Sequence, residues 1–159
     1  MKRKPIKNKR LLPKGYRRLG AVKTDTWFAL EYGNTMIGKL LGCYYRVDNR
    51  TFGLVSEFFQ IKLTAPTNVC SGEKAREAKS KGTKVSTRRA SPGTVVNLNC
   101  NSKTEKLKAL IPDVRLGAEV RIIVFCGPKL QRPGKGAMWD IACAAQTTKP
   151  PHYDEVEFD

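Results

Sequence analysis

No stretch of the chain reaches the roughly 18 consecutive apolar residues that a membrane-spanning helix requires, so no segment reads as crossing a bilayer in that form. The basic N-terminus, Met1 to Arg10, has no apolar run behind it and does not read as a secretory signal. Histidine is nearly missing. His152 is the single one, and it stands among acids and prolines where no pocket is expected around it. The acids of the remaining chain are dispersed, without the D-x-D or E-x-K grouping of a metal nuclease. No C-x-x-C pair exists, which argues against a structural zinc site. The segment Gly127–Gly136 contains Gly-Lys but lacks the spacing of a phosphate-binding loop. These absences leave catalysis without a setting: no enzyme activity, no metal and no cofactor is expected.

Positive charge is what the chain has in excess. Lys and Arg number 30 against 14 Asp and Glu, a formal net charge of +16. Self-repulsion on that scale works against a compact state and points to a polyanionic partner. The charge is unevenly placed. Residues 1–23 hold ten Lys or Arg and no acid, interrupted by Pro5, Pro13 and Gly15, and read as a flexible basic arm. Residues 148–159 read as an acidic tail, with four acids among the last six positions. Five widely spaced cysteines, Cys43, Cys70, Cys100, Cys126 and Cys143, read as reduced thiols of a cytoplasmic chain, or of the host cytoplasm for a viral one.

Between arm and tail the pattern is β-like. Residues 35–47, 54–64, 94–100, 119–126 and 137–146 are expected as five strands. In the second, Val55, Phe59, Ile61 and Leu63 share one parity, and Ser56, Phe58, Gln60 and Lys62 the other, the alternation of a half-buried strand. Residues 65–93 are polar, with seven Lys or Arg, and read as a basic loop insert that could hold a short helix over 73–81. Ser102-Lys-Thr-Glu105 has the form of a capping box, opening a helix with Leu107, Leu110 and Ile111 on one face and Pro112 as its stop. Five strands with one short helix between the third and fourth is the order of an OB-fold, a partly open Greek-key barrel. Residues 24–147 are taken as that all-β domain, with Gly38 and Gly42 suiting its curvature.

A binder of single strands needs cations along the phosphates and aromatic faces for the bases. The first strand offers Lys39, Tyr44, Tyr45 and Arg46, with the two tyrosines on opposite sides so that only one faces out, Tyr44 being taken, and the second offers Phe58 and Lys62. Arg88 and Arg89 in the insert, and Lys129, Arg132 and Lys135 in the loop joining strands four and five, would flank the same face. Trp27 and Trp139 are placed mostly in the core.

The pattern Trp27-Phe28, Gly33-Asn-Thr-Met-Ile-Gly38-Lys-Leu, Gln60-Ile-Lys-Leu63, a helix, Gly117-Ala-Glu-Val-Arg-Ile-Ile-Val-Phe125-Cys-Gly127 and a last strand resembles small bacteriophage single-stranded DNA-binding proteins of OB type, over residues 27–146. Asp154-Glu-Val-Glu-Phe158-Asp159 is similar to the acidic, Phe-containing tips by which such proteins recruit replication and repair partners, although Phe158 is penultimate and no Gly/Gln-rich linker precedes it. The resemblance implies a protein that protects and organises single-stranded DNA in replication or recombination. Asp154, Glu155, Glu157, Phe158 and Asp159 would then be its partner-binding element. Single-stranded DNA is the first ligand expected, with RNA second, no membrane, and self-association open. The rival readings are an RNA-binding or ribosome-associated protein and a viral coat protein. The acidic Phe-bearing tail speaks for the first reading, and five strands fall short of a jelly roll's eight.

Overall fold

The computed structural model describes residues 20–48 and 54–148. The chain is mostly β. Its strands are β1 Thr26–Phe28, β2 Thr35–Asp48, β3 Leu54–Leu63, β4 Thr67–Ser71, β5 Arg88–Ala90, β6 Val95–Asn99, β7 Val120–Arg132 and β8 Lys135–Thr147. Helix α1, Gly72–Lys81, lies between β4 and β5; a 3-10 segment, Glu105–Leu110, runs into α2, Ile111–Arg115, between β6 and β7. All eight strands belong to one sheet in the order β5-β4-β1-β6-β3-β2-β7-β8. Neighbours are antiparallel except β1 and β6, which run parallel through Trp27 and Asn97.

Alternation builds the concave side. Met36 and Leu40 of β2, Phe59 and Ile61 of β3, Val96 of β6, and Ile122 and Val124 of β7 are all buried in one cluster. Each such side chain contributes roughly 1.5–3 kcal/mol by leaving water. Leu107 of the 3-10 segment is buried in the same cluster, and Leu110, Ile111 and Val114 pack against it. Strand β2 carries a register shift between Leu40 and Gly42, a bulge of the kind that bends a strand. At Gly38 the neighbouring backbone passes so close that a Cβ would meet the Lys62 carbonyl oxygen at 2.4 Å, so only glycine fits. The result is a curled half-barrel: Trp27 and Phe28 of β1 line the same groove as Trp139 and Ile141 of β8, although these strands are far apart in the sheet order.

The expected count of five strands is corrected to eight among the described residues. Strand β1 has three residues, too few to show a period. Strand β4 (TNVCS), paired on both sides, and the edge strand β5 (RRA) are short and poor in apolar residues and lie inside 65–93, which is therefore not a plain loop. The expected loop 128–135 is the end of a β7–β8 hairpin that pairs as far as Arg132 and Lys135, leaving Pro133-Gly134 as the turn. The capping box does not form. Asn101 opens that segment instead: its Oδ1 accepts from the Lys103 N–H (2.9 Å), while the Asn101 N–H donates to the Thr104 hydroxyl (3.0 Å). Pro112 sits in the first turn of α2, where its missing N–H costs nothing, and does not end the helix. Gln60, expected outward, is buried because the chain at Val22 covers it. The Val22 N–H donates to Gln60 Oε1 (2.8 Å), and Gln60 Nε2 donates to the Val22 carbonyl (2.7 Å). No helix among the described residues is long and apolar enough to cross a membrane.

Candidate functional site

The site begins at Asp25. Its Oδ1 accepts from Trp27 Nε1 (3.3 Å), and its Oδ2 accepts from the Ser71 hydroxyl (3.0 Å) and the Glu73 N–H (3.1 Å). One carboxylate thus aims an indole and ties β1 to the first turn of α1, where an anion is favoured by the helix dipole. Ser71 caps the same helix, accepting from the Lys74 N–H. Gly72 makes room for the arrangement, since a Cβ there would stand 2.5 Å from Asp25 Oδ1 and 2.8 Å from Trp27 Nε1.

Partial burial pushes the Asp25 carboxyl up, but the bonds from Glu73, Ser71 and Trp27, with Arg76 nearby, outweigh it and hold the group below its ordinary value of 3.8. The stability it contributes is therefore complete above that value and is lost as pH falls through the lowered folded value. Asp25→Asn should cost about 0.5–1 kcal/mol at neutral pH, the low end for a lost helix cap. Thermal melts of both proteins down a pH series check this: the gap should close in acid.

From Trp27 an aromatic ladder crosses the sheet. Its ring lies 5.9 Å from that of Phe58, which lies 5.9 Å from Tyr44, all tilted and all half-buried. The register explains the row: Tyr44 opposes Phe58, Phe58 opposes Asn99 on β6, and β1 lies next beyond. Tyr45 and Arg46 follow on β2, both exposed.

Trp27 also lines a groove of about 1000 Å³ that continues the ladder past Arg46 and Asn99. One wall is α1 and the residues after it, bringing Arg76, Lys79 and Lys84; the other is the hairpin, bringing Lys129 and Trp139. Lys129 and Trp139 are paired across the hairpin, and the Lys129 ammonium lies 5.6 Å from the indole centroid, a cation–π contact. Among the described residues, none of the cations Arg46, Arg76, Lys79, Lys84 and Lys129 is in an ion pair. Glu31 is the carboxylate on this lining. Three acids elsewhere are in ion pairs: Glu57 with Lys108 (2.6 Å), Asp140 with Lys103 (3.5 Å), and Glu119 with Lys39 (3.2 Å) and Arg121 (2.6 Å). The groove therefore concentrates positive potential beside exposed ring faces.

Of the residues singled out in the sequence, Tyr44 and Phe58 stand in the ladder, and Arg46 and Lys129 on the groove. Lys39 and Lys62 oppose each other farther along β2 and β3, with Arg121 beside them, outside the groove lining. Arg88 and Arg89 lie on edge strand β5 and donate to Thr26 and Asn68. Arg132 and Lys135 flank the hairpin turn. Asp154, Glu155, Glu157, Phe158 and Asp159 lie outside the described residues. The two tryptophans, expected mostly in the core, are each half-buried on the groove lining; Trp139 also packs against the core cluster. Arg76, Lys79 and Lys84 stand out in the sequence only as part of a basic segment, because i, i+3 spacing has meaning only once the helix is known.

All five cysteines are free thiols. Burial raises each above its ordinary value, Cys43 to about 11, so none is poised as a nucleophile. Among the described residues no cluster of three His, Cys, Asp or Glu could hold a metal ion. No family model, no curated protein and no solved structure matches this chain.

Proposed function

We propose that this protein binds single-stranded nucleic acid, DNA by preference, along the ladder and through the groove between α1 and the β7–β8 hairpin. One observation carries the reading: three half-exposed rings in a row lead into a groove whose cations are in no ion pair among the described residues. Bases stack on the rings and phosphates displace counterions from the cations. Neither helix suits a major groove: α1 forms a wall of the cleft, and α2 has five residues.

The meander β2-β3-β6, the helical segment before β7 and the return of β7 to β2 support an OB-like barrel, left open where β1 takes the edge of β6. In this reading the protein protects and organises single strands during replication or recombination in the cytoplasm, and the acidic Phe158 segment recruits protein partners.

A gel shift comparing oligo-dT, duplex DNA and folded RNA at one salt concentration tests the proposal. Oligo-dT should bind at least about tenfold tighter than duplex, the equivalent of one stacked base. Equal affinity for duplex would overturn it. Tightest binding to folded RNA would replace it with the RNA-binding reading.

A further inference from the structure

The two edges of the sheet are built differently. Strand β5 is three residues long, carries Arg88 and Arg89, and is followed closely by Pro92, all features that discourage further pairing. Strand β8 runs for 13 residues, and among the described residues no strand pairs with its far side. Its second half, Ile141-Ala-Cys-Ala-Ala-Gln-Thr147, has no charge, proline or glycine.

The ladder of backbone hydrogen bonds fixes which groups that edge presents. The Thr148 N–H donates to the Glu119 carbonyl (3.1 Å), so residues 148, 146, 144 and 142 are hydrogen-bonded to β7. Ile141, Cys143, Ala145 and Thr147 therefore turn their N–H and C=O groups to the open side. Beside them the outer face is apolar: Ile123 and Phe125 of β7 are 47% and 43% exposed, and they oppose Ala144 and Ala142.

The geometry points to a second copy of this chain as the occupant of the β8 edge, paired antiparallel about a twofold axis at Ala144. That register matches residue 141 with 147 and 143 with 145 across the axis, so all four free residues are bonded in both copies. A twofold contact of this kind is self-complementary by construction. The seam holds only alanines and uncharged side chains on its outer face, which a chain of net charge +16 needs if two copies are to meet there. This inference does not depend on the nucleic-acid reading.

Light scattering in high salt, which strips bound polyanions, should give twice the 17.8 kDa mass of the chain. Ala145→Pro removes an N–H that faces the open edge and leaves the β7 pairing untouched, so it should give the single-chain mass with the far-ultraviolet spectrum unchanged. Ala144→Cys places two thiols across the axis, where facing Cα atoms of a non-hydrogen-bonded pair stand about 4.5 Å apart. Oxidised glutathione should then join the two chains through one disulfide, itself being reduced to two thiols. Ser91→Cys, beyond the opposite edge, should give no such product. A monomeric parent chain, a dimeric Ala145→Pro variant, or an Ala144→Cys variant that cross-links no more than the parent would each overturn the inference.

Discussion

In a fluorescence titration with labelled oligo-dT, a variant with Trp27, Phe58 and Tyr44 all changed to Ala should bind at least ~100-fold more weakly than the parent, since stacking contributes roughly 1–3 kcal/mol per base. The sum of the single effects should exceed the effect in the triple variant, because the rings touch and share their support. Trp27→Ala should be the most costly single change, its ring belonging to both ladder and groove. The rings are only half-buried, so the fold should survive. A triple variant that is folded and within about threefold of the parent, well under 1 kcal/mol, would remove the ladder from the binding surface.

The ladder is half legible in the sequence. Period-two alternation places Phe58 outward and sets Tyr44 and Tyr45 on opposite sides without choosing between them; it is Tyr44 that stands in the row with Phe58. Trp27 reads as core because large aromatic residues usually go there, and a three-residue strand offers no period against which to place it. The strands rich in apolar residues, β2, β3, β6 and β7, are readable from alternation. Strands β4 and β5 are not, since short strands made largely of Thr, Asn, Ser and Arg have the composition of a loop. The hairpin end at Lys129–Lys135 escapes for the same reason: two strands that pair only with each other need no buried face. At 101–105 the local rule misleads, because two side chains compete for one role and Asn101, with Thr104 behind it, displaces Ser102.

Replacing Arg46, Arg76, Lys79, Lys84 and Lys129 together by Ser should flatten the dependence of log K on log salt by up to about 3.5, at about 0.7 for each phosphate that is no longer neutralised. Affinity should fall most at low salt and converge on the parent's at high salt. The matched control replaces Lys39, Lys62, Arg88, Arg89 and Arg121, cations of equal number placed away from the groove lining. If the groove is the phosphate track, the control keeps the larger slope. A control as flat as the groove variant would mean that net charge governs binding and that the groove has no special part in it.

Three residues of β1 join two larger bodies. On one side stand β4, α1 and β5; on the other lie β6, β3, β2, β7 and β8. Further ties run between them: the Asn34 amide donates to the carbonyls of Ala29 (2.8 Å) and Asn68 (2.9 Å) and accepts from Thr67 and the Asn68 N–H, the Thr67 hydroxyl donates to the Thr35 carbonyl (2.6 Å), and Val69 and Ala90 are buried in the common core. The groove has one wall on each body. A polymer threaded between the walls, on the proposed reading, would touch both bodies at once and shield the amides of β1, which lies between them, from exchange with solvent.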